Sequence, residues 1–421
     1  MFNLFKRRKY REPAPQPLVE VDEKHVSLRL VALIFFVVVA VVSLTYGFTK
    51  LFSTDPGWRV VEVEGGSVSC SQDFIFNYQV GVSGVNATQE YKDITAIYTQ
   101  ACQKAYRLFS NEVMDYTGNI YSLNNQVNTA VEVDPALYRA LETVQKYESR
   151  LVFLAPVYAE HNRMFSYTNE LDAMRYDPAQ NPEIMDYISQ IVEYANNPEH
   201  VWLELLENNR VRLCVSEAYM VFAQENGIDI FVDFGWTANA FIIDYLADTM
   251  LEAGYTRGYI GSYDGFTRNL DRTEENYSFN IFDRLGNDLN LSAKMDYNGP
   301  MSIVYLRNYP MSGQSQDRWH YFAFPNGSIA TVFLDPADGV SKSATDNLVS
   351  YSTGFGCGEI LMRSANVYLK DTLDEGAIAA MAEQDIFSIW FDGSKLLYNQ
   401  EDIHLRLDDS LEASYTTQLV K

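Results

Sequence analysis

Apolar positions recur with two periods along this chain, and the points where the period changes mark its elements. From Asp73 to Val82 (DFIFNYQVGV) apolar and polar residues alternate, which predicts a strand. From Tyr91 to Phe109, Ile94, Ile97, Tyr98, Ala101, Ala105, Leu108 and Phe109 recur at helical spacing. Asp134-Pro135 opens a second helix, because the carboxylate caps the free amides and proline has no amide to lose; Leu137, Leu141, Val144 and Tyr147 continue its stripe. Pro182 to Tyr194 (PEIMDYISQIVEY) predicts a third helix. Val201–Leu205 and Arg210–Val215 flank Asn208-Asn209 and predict a hairpin, since asparagine tolerates the left-handed backbone of a tight turn.

The stretch from Phe231 to Gly265 combines both periods: strand, glycine turn, amphipathic helix, glycine stop, strand, second glycine turn. Phe241, Ile242, Tyr245, Leu246, Met250 and Leu251 share one helical face, and Gly254 suits the helix C-terminus. Gly235 and Gly261 each follow a β-rich run, so both turns are expected to bring amides to one rim that can bind an anion. Further on, strands are expected near Tyr277–Phe282 and Ser302–Tyr305. A hairpin of Trp319–Phe324 and Ser328–Leu334 turns on Pro325-Asn326-Gly327. The loop DPADG (Asp335–Gly339), a helix over Ala377–Gln384, a strand over Ile386–Phe391 and the turn Asp392-Gly393 complete the series. Hairpins this frequent predict an α+β fold of mixed sheets and packed helices.

The N-terminal part breaks the pattern. Leu30 to Thr49 carries no charge, over about the 20 residues that a helix needs to span a bilayer. Lys6, Arg7, Arg8, Lys9 and Arg11 precede it, which predicts a cytoplasmic N-terminus and a single-pass cell-membrane protein with its main domain extracytoplasmic. A cleaved signal peptide is the alternative, but its apolar core is usually about 7–15 residues and ends in a small-residue site. The expected organisation is a basic tail (1–27), a transmembrane helix (28–49), a stalk (50–72), one domain (73–405) and a C-terminal tail (406–421).

The 421 residues, 47% hydrophobic and 14% aromatic, suffice for a large packed core. A net charge of −24 leaves no basic face for phosphates, so no nucleic-acid partner is expected. Cys70, Cys102, Cys214 and Cys357 form no CxxC pair, which argues against a zinc ribbon and leaves two disulfides or four thiols as readings.

Several motifs in this order carry a resemblance. Asp233 to Asp244 (DFGWTANAFIID) resembles, without a gap, the pattern Asp-Leu-Gly-Gly-Ile-Ala-Lys-Gly-Tyr-Ala-Val-Asp of the FAD:protein FMN transferases, the ApbE-like proteins. Tyr259 to Asp264 (YIGSYD) is similar to that family's Gly-Gly-Asp turn. Leu108-Phe109-Ser110 with Asn111-Glu112 resembles its phenylalanine-serine element, and Leu334 to Gly339 its Asp-Pro loop. Pro182-Glu183-Ile184, the Arg210–Val215 strand and Asp392-Gly393 fall at matching distances, so the resemblance covers about Asp73 to Leu405. It implies a single flavin-transferase domain that takes FAD and Mg²⁺ and passes FMN to a threonine of a secreted or membrane flavoprotein acceptor. It places Gly235, Trp236, Thr237, Ala238, Asn239, Asp244, Gly261, Ser262 and Asp264 at the cofactor, and Ala238 and Glu359 at the metal.

The departures from the pattern fall on chemistry. The family lysine is Asn239, the next glycine is Ala240, and the histidine before the Asp-Pro loop is Val332. The metal pair, Asp followed four residues later by Thr, maps onto GCGEILMRS (Gly356–Ser364), as Gly358 with Met362 or as Glu359 with Arg363. In the second register Arg363 could stand in for the Mg²⁺ charge; the plainer reading is an exposed i,i+4 pair with Glu359. Among His25, His161, His200, His320 and His404 no metal spacing occurs, and only His320, between Trp319 and Tyr321, is a candidate substitute base; the plainer reading is a half-buried strand residue. Asp335 and Asp338 could ligate a cation, but Asp-Pro and Asp-Gly are also turn dipeptides. The expectation is therefore a membrane-anchored transferase relative whose transfer chemistry is weakened or lost, or a non-catalytic flavin-binding or scaffolding module.

Overall fold

The strand Phe74–Val80 shows how this sequence makes its core: Phe74, Phe76, Tyr78 and Val80 turn inward while the residues between them stay half-exposed. The structure is a computed structural model and describes residues 26–51, 54–65, 69–82, 84–273, 275–285, 288–311, 319–408 and 415–420. It divides into two compact units, Met1–Thr54 and Asp55–Lys421. The basic cluster from Lys6 to Arg11 and the stalk residues Ser53, Gly66 and Ser67 lie outside the described residues.

The first unit contains the helix Val26–Leu51, with exposed apolar side chains along residues 26–47. Its segment Val26–Gly47 is long and apolar enough to cross a membrane, a test that a signal sequence near an N-terminus also passes.

The second unit is α+β. Nine strands of the described residues form one sheet, in the order Gly57–Val61, Phe74–Val80, Gly258–Ser262, Phe266–Asn269, Met301–Arg307, Asn347–Ser352, Phe387–Asp392, Lys395–Tyr398 and Thr416–Leu419. All neighbours pair antiparallel except the last two, which run parallel. One face packs beneath the helices Ala87–Phe109, Ala238–Glu252 and Cys357–Tyr368. The other is covered by the hairpin Asn276–Leu285 with Asp288–Asn298, through Ile281, Ala293 and Met295 against Ile303, Tyr305 and Val349. Met301–Arg307 is buried at every position as a result, so Ile303 to Leu306 read as a continuous apolar run rather than an alternation.

Local signals explain most boundaries. Asn86 accepts from the amides of Thr88 and Gln89, at 3.0 and 3.1 Å, which starts the first long helix at Ala87, one turn before the expected start at Tyr91. Asp134 and Asn181 cap Pro135–Lys146 and Pro182–Ala195 in the same way. Asn208 and Asn209, at φ 60° and 52°, turn the hairpin of Val201–Leu206 and Arg210–Val215.

Three readings of the sequence need amendment, and one open alternative, disulfides or thiols, is resolved. Phe231–Phe234 is not a strand: the Asn124 side chain accepts from the amides of Phe231 and Val232 and donates to the Val232 carbonyl, taking the place of a ladder. Gly261 does not turn the chain but sits inside Gly258–Ser262; Gly265, at φ +110°, makes the turn. Gly57–Val61 and Thr416–Leu419, expected in stalk and tail, are edge strands of the main sheet. The four cysteines are free and buried, and the Cys70 thiol donates to the Cys102 carbonyl at 3.3 Å.

Candidate functional site

The N-terminal turn of the helix Ala238–Glu252 is held rigidly before any ligand is considered. Asp233 accepts from the Gly235 amide at 2.8 Å and from Asn111 at 2.6 Å, and Asn111 in turn accepts from Asn124 at 2.7 Å. Burial raises the Asp233 carboxyl, which these donors oppose. Gly235 takes φ +52°, and a Cβ there would lie 3.3 Å from the Tyr158 ring. Trp236 donates to the Tyr158 hydroxyl at 3.1 Å and meets Phe333 edge-on at 4.9 Å between centroids. Thr237 is buried and bonds the Phe234 carbonyl at 2.6 Å.

A cavity of about 650 Å³ opens over this turn. Gly235, Trp236, Ala238, Asn239 and Ile242 form one side, and Tyr106, Phe109 and Ser110 at the end of the first long helix form the next. Asp73, Tyr263, Asp264, Trp319 and His320 close the rest. Asn239 donates to Asp264 Oδ2 at 2.9 Å, while Asp264 Oδ1 is buried without a hydrogen-bond partner. The Asp73 carboxyl is pushed up to about 6, first by burial and then by the Asp264 charge, with His320 opposing. Solvent reaches Asp73, so this burial is that of a group inside a concave wall. The described lining includes no lysine or arginine.

The opposite face of the same helix borders a second cavity of about 490 Å³, with Arg139, Asp244, Asp248, Arg268, Arg272 and Glu359 on its walls. Asp244 accepts from the amides of Cys357 and Gly358, each at 2.8 Å, and from Arg268 at 2.5 Å. Burial raises this carboxyl while Arg268 and the two amides pull it down. Asp244 thus closes the N-terminus of the helix Cys357–Tyr368, a place where a carboxylate is favoured by free amides and dipole.

The structure separates the residues that the sequence grouped together. Gly235, Trp236, Ala238, Asn239 and Asp264 meet at the first cavity, with His320. Asp244 and Glu359 lie at the second, and Ser262 lines a third, of about 410 Å³, beside Tyr277 and Tyr297. Gly261 is within its strand, and Val332 is a buried core residue. Asp73, Tyr106, Tyr263 and Trp319 are additions that sequence reasoning did not single out. Only the pairing of Phe74 with Ser262 sets Asp73 beside Tyr263, whose amide bonds the Asp73 carbonyl at 3.1 Å.

The residues present do not fit a Mg²⁺ ion at the predicted pair. A side chain at Gly358 would place its Cβ 2.7 Å from the Phe241 ring, and Met362 is fully buried and has no oxygen to offer. Glu359 instead binds Lys146 at 2.6 Å and Tyr147 at 2.9 Å. Arg363 donates to Gln384 and to Tyr147, and its guanidinium lies 4.8 Å from the Tyr147 ring centre and 5.3 Å from that of Phe355. Glu359 and Arg363 therefore meet across Tyr147 rather than as a direct pair. Asp335 is likewise committed, to the Ala337 amide and to Lys342 and Lys370 at 3.2 and 3.0 Å. Among the described residues no three His, Cys, Asp or Glu side chains converge as a metal site.

No family model and no curated protein matches this chain. Solved structures do. The ApbE protein of Thermotoga maritima is 12% identical, with a TM-score of 0.54, and the match covers 86% of this chain and 100% of that one. The flavin transferase ApbE of Vibrio cholerae is 11% identical, with a TM-score of 0.51 and the same coverage of both chains. The protein has an ApbE-like fold.

Proposed function

We propose that this protein is a membrane-anchored, extracytoplasmic relative of the FAD:protein FMN transferases that retains a ligand pocket and does not transfer FMN. One observation carries the reading. Asn239, where the resemblance expects lysine, is hydrogen-bonded to a carboxylate, and the described cavity lining adds a second carboxylate and no lysine or arginine. Transfer from a pyrophosphate builds negative charge that needs a cation or donors aimed at it. Removing one such donor costs about 10²–10³ in rate, and here the lysine, the histidine and the metal pair are replaced together.

What remains suits binding. The turn Gly235–Thr237 is clamped by Tyr158 and Phe333, and the cavity has the size of a small-molecule site with aromatic walls. FAD would supply a phosphoanhydride and a flat ring; the aromatic walls suit the ring, and the two carboxylates do not suit the pyrophosphate. The helix Val26–Gly47, behind a basic cluster, supports the anchor and its orientation. Incubation with FAD, Mg²⁺ and a threonine-bearing acceptor, beside an active transferase as control, is expected to leave the acceptor unlabelled by mass spectrometry. Covalent FMN on that acceptor overturns the reading.

A further inference from the structure

We infer that the 650 Å³ cavity binds a small organic cation, a protonated amine on an apolar body, held by aromatic rings and by Asp73 and Asp264. The inference rests on reading this cavity as the ligand site of a non-transferring protein, and it names the class of ligand.

Three features of the cavity agree. Its charge is negative: Asp73 and Asp264 both face it, and the described lining offers no lysine or arginine against them. An anion would add a third negative charge to this wall, whereas a cation removes the repulsion between the two already present. The walls are aromatic, with Tyr106, Phe109, Trp236, Tyr263 and Trp319 around the space. Tyr263 is 44% exposed, which leaves ring surface open to a cation. Aromatic faces attract ammonium groups through the ring quadrupole, most strongly where water is displaced.

The third feature is the orphaned oxygen. Asp264 Oδ1 is buried and has no hydrogen-bond partner, while Oδ2 is fixed by Asn239. A buried carboxylate oxygen left without a donor is costly, and a ligand N–H is the donor that would satisfy it. Asn239 can orient Asp264 without neutralising it, as a lysine at that position would. The substitution that disables phosphate chemistry therefore leaves a carboxylate available to a cation.

The test compares two probes differing in one group, phenethylamine and 2-phenylethanol, titrated calorimetrically against the full chain in dodecylmaltoside with empty micelles as blank. Phenethylamine is expected to bind at least about tenfold more tightly than the alcohol, as a charge-selective aromatic site requires. Asp73→Asn and Asp264→Asn are each expected to remove that preference while retaining the wild-type circular dichroism spectrum and unfolding midpoint within a few degrees. Equal affinity for amine and alcohol in the wild-type protein overturns the inference, and this arm needs no variant. So does amine binding unchanged in both variants, or displacement of bound amine by FAD with Mg²⁺. The transfer assay is independent: acceptor labelling defeats the non-transferring reading, whereas a failed amine titration with an unlabelled acceptor defeats the cation inference alone.

Discussion

The two faces of the helix Ala238–Glu252 treat a carboxylate in opposite ways. On one face Asp244 receives two backbone amides and a guanidinium, and it ties the helix to the start of Cys357–Tyr368. Across the helix, Asp264 receives one amide from Asn239 and leaves an oxygen unbonded at an aromatic cavity. The first carboxylate is part of the scaffold, because its charge is already answered. The second has unanswered charge beside open space, which is the condition for recognising something external. Arginines gather at the cavity of the first face and are missing from the described lining of the second, so the electrostatics suited to an anion lie away from the turn where the resemblance expects a pyrophosphate.

This contrast can be tested from its strongest consequence downward. Asp244→Ala leaves Arg268, whose side chain is 16% exposed, with only the longer 3.3 Å contact to the half-exposed Asp248, and strips a helix N-terminus of its cap. The expected loss is about 3–5 kcal/mol of stability in urea unfolding; a loss below 1 kcal/mol would place Asp244 outside the scaffold. Gly358→Ala drives a methyl group into the Phe241 ring, at an expected cost of about 1–3 kcal/mol. A Phe241→Ala background should recover part of that cost, since the two sites share one space.

The third prediction concerns pH. Asp73, raised from an ordinary 3.8 to about 6, faces Asp264, His320 and Cys70. An acid with a raised folded value favours the protonated native state, so its contribution to stability falls as pH rises from about 4 to 6. Affinity for an organic cation runs the other way, full above pH 6 and declining as pH drops through it. Calorimetry at pH 5 and 7 checks this, and equal affinity at both would remove Asp73 from the binding step. The smallest effect belongs to Glu359→Ala, whose partner Lys146 is 54% exposed. About 0.2–1 kcal/mol is expected in urea unfolding, and a larger loss would make Glu359 part of the scaffold beside Asp244.

Sequence reasoning succeeded where the signal was local. Asp134-Pro135, Pro182-Glu183 and Asn208-Asn209 each mark a helix start or a turn within a few residues, and the structure follows them. It failed where partners come from afar. Phe231–Phe234 has strand composition, yet the Asn124 amide from a distant helix binds its backbone. Asp288–Asn298 is a different case, a miss of a local signal: Leu289, Leu291, Ala293, Met295 and Tyr297 alternate with Asn290, Ser292, Lys294 and Asp296 as a half-buried strand should, and the segment pairs along its length with Asn276–Leu285. The candidate site divides in the same way. Asn239 could be singled out by resemblance, and Gly235 with Trp236 by the turn they form. Asp73 joins them only through the register between Phe74–Val80 and Gly258–Ser262, which no local pattern encodes.

That register has a kinetic meaning as well. The strands it joins lie on either side of Ala87–Glu252, a stretch of helices and one small sheet, so their pairing closes a very long loop. Contacts this distant form late and slowly in folding. The cavity wall that includes Asp73, Tyr263 and Asp264 therefore cannot preexist in a nascent chain that has reached only the helices. A ligand of this cavity would act as a reporter of completed folding, silent on every partly built form of the protein.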